Sequence, residues 1–194
     1  MTGGDDLRAS QAVLRATDLP GDGWTALGVP EETHGGEGAS LDDCLGGFPD
    51  DEVAASATSP RFSRGDELAY SVAWVLSSEE AAQAGFDRLS DRRFVSCFVD
   101  AAAAEVDPDQ GAATLLGHLA TPLEHMEGLD RGAAHQARLT AATPEGVLAI
   151  HLDLVALRRG RGVSLLILAD SPDPVAPALV RVVAERLSTR LAPG

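Results

Sequence analysis

Lysine and asparagine are both absent from this 194-residue chain, and all 15 basic residues are arginine. Without asparagine there is no N-x-S/T glycosylation acceptor. The all-arginine bias points to a GC-rich genome rather than to a mechanism. Only two cysteines occur, so a disulfide-dense scaffold is excluded, and no C-x-x-C exists for zinc or dithiol chemistry. The G-x-S-x-G elbow, H-E-x-x-H, the P-loop and G-x-G-x-x-G are all missing, and with them the catalytic and cofactor classes that they mark. No apolar run approaches the roughly 20 residues that span a bilayer. Basic residues are outnumbered by acidic ones, 15 to 30, for a net charge of −15. That field repels phosphate backbones and anionic lipid, which excludes nucleic acid and membrane surfaces as natural partners.

Hydrophobic residues make up 44% of the chain. They suffice for one domain spanning residues 1–194 with a sizeable core. The opening MTGGDDLRAS is polar and acidic, unlike a signal peptide. Export therefore requires a leader ahead of Met1; without one the expectation is a cytoplasmic protein.

The region 77–106 organises the remainder. Ser77-Ser78-Glu79-Glu80 fits a capping box. Ala82, Phe86 and Leu89 form one helical stripe; Phe94, Cys97, Phe98 and Ala101 form a second, rotated by a quarter turn or more. A straight helix cannot bury both. Ser90-Asp91 supplies a fresh cap, so a kink or second helix start is predicted there.

Upstream, 6–17 reads as a short helix ended by Asp18-Leu19-Pro20-Gly21. Trp24 follows as an aromatic anchor for the turn, and 23–27 begins a strand. The stretch 29–43 reads as a polar loop. Its Glu31, Glu32, His34 and Glu37 have no defined geometry for a metal. Strands are predicted over 53–62 and 67–76, joined by the loop 63–66. In the second, Leu68, Tyr70, Val72, Trp74 and Leu76 share one side. Ala69, Ser71, Ala73 and Val75 share the other, small enough to lie under a helix.

Downstream, 107–111 is a turn without the later acidic ligands of a calcium loop, and 112–119, with His118, is expected as a short helix. Antiparallel strands follow over 122–127, 133–142, 147–158 and 162–169, the last central and covered on both sides. Asp173-Pro174 is expected to open the final helix, with Val180, Val183, Leu187 and Leu191 buried.

Two candidate chemistries remain. His151 and Asp153 share a strand side and can stand beside His135 or Arg138; a His–Asp pair serves acid–base catalysis, but i, i+2 polar residues also fit a solvated outer side. His125 and Glu127 allow the same two readings. The cysteines allow one bridge, Cys44–Cys97, or two buried free thiols packed as small apolar groups. Asp42, Asp43, Asp50, Asp51 and Glu52 form an acidic rim around Cys44 that disfavours a thiolate, so a structural cysteine is expected.

The order of these features resembles a known family. Asp18-Leu19-Pro20-x-x-Gly23-Trp24 after a helix, Cys44 in an L-x-x-C loop, two strands, a helix with Phe94-x-x-Cys97, an antiparallel run and a closing helix are similar to the extracellular sensor domain of PknH-type Ser/Thr kinases and related small lipoproteins of high-GC bacteria. The resemblance implies an α+β fold, an antiparallel sheet of about five to seven strands with helices packed on it, described as a PsbP-like α/β sandwich. It implies a Cys44–Cys97 disulfide and a packing role for Trp24, where the kinase domains carry two disulfides. It supplies no catalytic residues, and no cofactor or metal is expected. The expected function is a non-enzymatic extracytoplasmic sensor or ligand-binding domain, with a small-molecule or protein ligand and no membrane insertion. The alternatives are a cytosolic interaction module with free thiols and a small hydrolase or isomerase using His151 and Asp153.

Overall fold

A computed structural model describes residues 3–29, 51–104, 114–122, 132–143 and 146–191. Its helices are α1 (Gly3–Ala12), α2 (Glu79–Ser90), α3 (Arg92–Ala104) and α4 (Pro177–Arg190). Its strands are β1 (Thr25–Gly28), β2 (Val53–Thr58), β3 (Arg61–Arg64), β4 (Glu67–Leu76), β5 (Thr114–Pro122), β6 (Gly132–Thr143), β7 (Gly146–Arg159) and β8 (Gly162–Asp170). They form one antiparallel sheet in the order β1-β3-β4-β8-β7-β6-β5, with β2 also paired to β4. β2 and β3 are two halves of one strand along β4. The register slips by one residue between Thr58↔Val72 and Phe62↔Ala69. Proline at 60 has no amide to donate. At the slip the Ser59 hydroxyl, in place of a main-chain carbonyl, accepts the Ser71 amide at 2.9 Å, while the Ser59 amide donates to the Ser71 carbonyl. Among the described residues the sheet is thus seven strands wide with four helices on it, the predicted α+β architecture.

Alternation along β8 feeds two cores. Val163, Leu165 and Ile167 meet Trp74, Leu89, Phe94 and Val99 beneath α2 and α3. Leu166 and Leu168 meet Val155, Leu157, Val180, Val183 and Leu187 beneath α4, joined by Val13 and Leu14. β8 is therefore central and covered on both sides, as its unbroken apolar run predicts. The small-residue side of β4 lies under the N-terminal segment, where the Leu14 amide donates to the Ser71 hydroxyl at 2.7 Å.

The break in the central helical region is real. Asp91 is extended, its carboxylate accepts the Arg93 amide at 2.9 Å, and α3 starts on a new axis face. Cys97 is half-buried on α3, and no described cysteine is free. Cys44 lies outside the described residues, as do Glu31, Glu32, His34, Glu37, Asp42, Asp43, Asp50, His125, Glu127 and the 107–111 turn.

Four expectations are corrected. Residues 114–122 form strand β5, so His118 lies on a strand; pairing with β6 through eight registered positions overrides the weak helical pattern. α1 stops at Ala12 because the chain turns onto Ser71, and only the short 3-10 turn Ala16–Asp18 follows. Ser78, not Ser77, caps α2: the Ser77 amide is still bonded to the Glu52 carbonyl, so the Ser78 hydroxyl accepts the Ala81 amide at 3.1 Å. α4 begins at Pro177 rather than Pro174. Each proline holds its predecessor out of the helical region, and Ala176 before Pro177 is extended.

The two ends of the chain are clamped together. Asp18, 4% exposed, takes both terminal nitrogens of Arg190 at 2.6 and 2.7 Å and also the Arg15 amide at 2.7 Å. Arg190 further donates to the Val13 carbonyl, and Arg186 to the carbonyls of Thr17 and Asp18. Asp18→Ala strands a largely buried guanidinium and is expected to cost about 3–5 kcal/mol in urea unfolding. Asp18→Leu combined with Arg190→Met is expected to cost less than either single change.

Candidate functional site

The turn Asp18-Leu19-Pro20 leads into Trp24, whose indole Nε1 donates to the Pro20 carbonyl at 3.2 Å. Arg64 stacks over the Trp24 ring at 4.7 Å, donates to the same carbonyl at 3.0 Å and forms a two-pronged pair with Glu67. Gly21, at φ +80°, is required: a Cβ there would stand 2.8 Å from the Arg64 guanidinium. Trp24 is a packing residue, as expected, and its ring face is occupied by Arg64.

From this corner a polar margin crosses one side of the sheet. Glu67 ends β4, Asp170 ends β8, His151 lies opposite Asp170 on β7, and Arg138 lies opposite His151 on β6. One rung further in, Gln136 faces Asp153. The same side carries Val155 and Leu157, part of the core beneath α4. The sequence expectation placed His151 and Asp153 on a solvated side. Asp153 is instead 1% exposed, because α4 covers that side of β7. His151 is half-buried and Arg138 exposed.

Asp153 has little support. Gln136 Nε2 donates to its Oδ1 at 3.4 Å, a weak contact, and Oδ2 has no partner. Burial raises its carboxyl to about 6, and the Gln136 contact opposes the shift only partly. Among the described residues no hydrogen bond joins His151 to Asp153, as expected for side chains two residues apart along a strand. The pair is adjacent but does not form a coupled acid–base dyad.

His135, also expected near His151, belongs to the other side of the sheet. Its Nε2 is 3.1 Å from the Ser90 carbonyl at the α2–α3 break, so Nε2 carries the proton and donates. Burial holds the imidazole below its ordinary range, against the pull of the Ser90 carbonyl. Arg158 supports the same side of the sheet, donating to Gln83 at 2.8 Å and to the Glu79 carbonyl. Gln136 was not singled out from sequence, although the register that pairs Thr143 with Gly146 also places it across from Asp153. Among the described residues, no group of three or more His, Cys, Asp or Glu is arranged to hold a metal ion.

The architecture defines an α+β sandwich with a seven-strand antiparallel sheet, and a solved structure shares it. The chain is similar to the extracellular domain of PknH from Mycobacterium tuberculosis, with a TM-score of 0.52 and 9% identity, covering 96% of this chain and 95% of that one. A second likeness, to the Mll3558 protein from Rhizobium loti, has 17% identity and a TM-score of 0.31 over 70% of this chain and 99% of that one, short of a shared fold. No family model matches the sequence. No curated protein matches it either.

Asp153 makes stability depend on pH. Its folded carboxyl titrates near 6 and its unfolded one near 3.8. Below both values it is protonated in either state and costs nothing. As pH rises from about 4 through 6 the unfolded chain ionises first, so stability falls, by about 2–3 kcal/mol at neutral pH. Asp153→Asn is expected to restore that amount at pH 7.5 and to change nothing near pH 3.5, measured by urea unfolding at both values.

Proposed function

We propose that residues 1–194 form a non-enzymatic sensor or ligand-binding domain that works outside the cytoplasm. The observation that carries this is the fold shared along almost the whole chain with the extracellular domain of PknH. The described side chains are consistent with it. His151 and Asp153 are not joined by a hydrogen bond, and Asp153 is buried among apolar neighbours rather than presented to solvent. Among the described residues no helix is long and apolar enough to cross a membrane.

Export and the disulfide stand together in this reading. Cys97 projects from α3 just beyond the Ser90–Asp91 break, and a bridge to Cys44 would tie the segment between β1 and β2 to the helical layer. A bridge closing a loop of about 50 residues stabilises the fold by roughly 4 kcal/mol through the entropy of the unfolded chain. An oxidising compartment is where such a bond persists.

The test is thiol titration of protein isolated from its native host with thiols blocked at lysis, then denatured without reductant. No reactive thiol is expected, and reduction should lower unfolding stability by roughly 4 kcal/mol. Two free thiols per chain would favour the cytosolic interaction module instead. Fractionation of the tagged native gene product, with recovery outside the cytoplasm as the expected result, checks the compartment independently.

A further inference from the structure

We propose that Asp153, Gln136 and His151 form a binding site for a small molecule that carries a protonated amine. This rests on the reading of the chain as a ligand-binding domain, though not on its export. Asp153 is 1% exposed and one carboxylate oxygen has no partner. Its other oxygen has only the 3.4 Å Gln136 contact. A buried carboxyl left in this state is costly, and replacing it by an apolar residue would be easy if it only filled space. The contrast with Asp18 is internal to the molecule: that carboxylate, on the same side of the sheet, holds a bidentate arginine and an amide.

Position gives a ligand its approach. Pairing between β7 and β8 ends at His151↔Asp170. Beyond it, residues 147–150 continue in register with β6, and the Ser171 hydroxyl reaches across, donating to the Ala149 carbonyl at 2.8 Å. Exposure rises past half-buried Ile150 and Ala149, with Leu148 38% and Val147 70% exposed. Asp153 therefore lies one rung inside the point where the sheet narrows. A molecule entering there meets half-buried His151 first and then the Gln136–Asp153 pair. The Gln136 amide must turn to admit it, giving up a contact that is already long.

The chemistry selects a cation with several donors. An ammonium group has three; the free Asp153 oxygen, the Gln136 carbonyl oxygen and an imidazole nitrogen of His151 are three acceptors on adjacent positions. An anion would meet a carboxylate in a chain of net charge −15, whose field draws cations inward. A divalent metal lacks the set of ligands it needs among the described residues.

The experiment uses the full chain and three probes, ethanolamine, butylamine and glycinamide, each beside its N-acetylated, uncharged counterpart. Backbone amide NMR shifts at pH 7.5 are the readout. At least one charged probe is expected to shift the amides of 136, 138, 151 and 153 saturably, while its acetylated counterpart does not. Asp153→Asn should weaken that binding at least tenfold while keeping the spectrum of a folded protein, since removal of a buried charge does not endanger the fold. His151→Ala should weaken it less. No saturable shift with any charged probe up to 10-fold above millimolar concentration, equal response to the acetylated probes, or unchanged binding in Asp153→Asn would each overturn the site. A bridged pair of cysteines together with any of these results would remove the amine site and leave the extracytoplasmic domain reading intact.

Discussion

The ion pair between Asp18 and Arg190 holds the helical cover on one side of the sheet. α1 has little apolar face of its own to bury, whereas α4 packs its stripe into the core. α1 is short and contributes Ala9 and Ala12, and α4 contributes one stripe of valine and leucine. What fixes them relative to each other is a carboxylate that accepts two guanidinium bonds and a main-chain amide, and a guanidinium that also reaches the Val13 carbonyl. These bonds offset much of the penalty of burying the charges, although Arg190 Nε is buried without a partner. The turn that presents Asp18 is held in its own right by Trp24 and Arg64 meeting on the Pro20 carbonyl. Sequence-distant residues thus close the sandwich through one polar knot at its corner.

The opposite side depends on a different device. α2 and α3 are successive in sequence but bury different stripes, and the extended Asp91 between them lets each find its own. His135 bonds the Ser90 carbonyl at that break, so β6 fixes where the direction changes. Because burial disfavours the charged imidazole, this contact is made by the neutral ring and donated from Nε2. Acidification through the ordinary imidazole range works against burial of the His135 ring, although its Nε2 still donates to Ser90 when charged, whereas rising pH works against buried Asp153. The two sides of the sheet thus carry opposite pH sensitivities over overlapping ranges, so that each partly offsets the other.

Local pattern made much of this fold legible. The alternation in β4, the apolar run of β8 and a change of buried stripe at Ser90 follow from periodicity and are present, although the second stripe centres on Phe94, Val95 and Val99, with Cys97 and Phe98 only half-buried. β5 was not legible, since residues 114–122 mix leucine, glycine, alanine and proline without a clear period; its state comes from pairing with β6. The start of α4 was set by the last of three prolines rather than by the first good cap. For Asp153 the signal was present but divided. The side of β7 that carries it is polar at 151 and 153 yet apolar at Val155 and Leu157, and the second half announces burial. Its partner Gln136 follows from register, which needs the position of the turn and not only the pattern of a strand.

Two buried carboxylates on one side of one sheet make the functional argument. They share a layer, a covering helix and the same expense of desolvation. Asp18 is embedded among donors, and every element of its surroundings is explained by holding the chain ends together. Asp153 has one weak donor, a free oxygen and, among the described residues, no cation of its own; its strand neighbours become polar just where β8 stops. Packing alone favours an apolar side chain at such a position, and stability at neutral pH favours it more. A carboxyl at that place is accounted for by something that it meets only part of the time, and the margin formed by His151, Gln136 and Arg138 is where that meeting would occur.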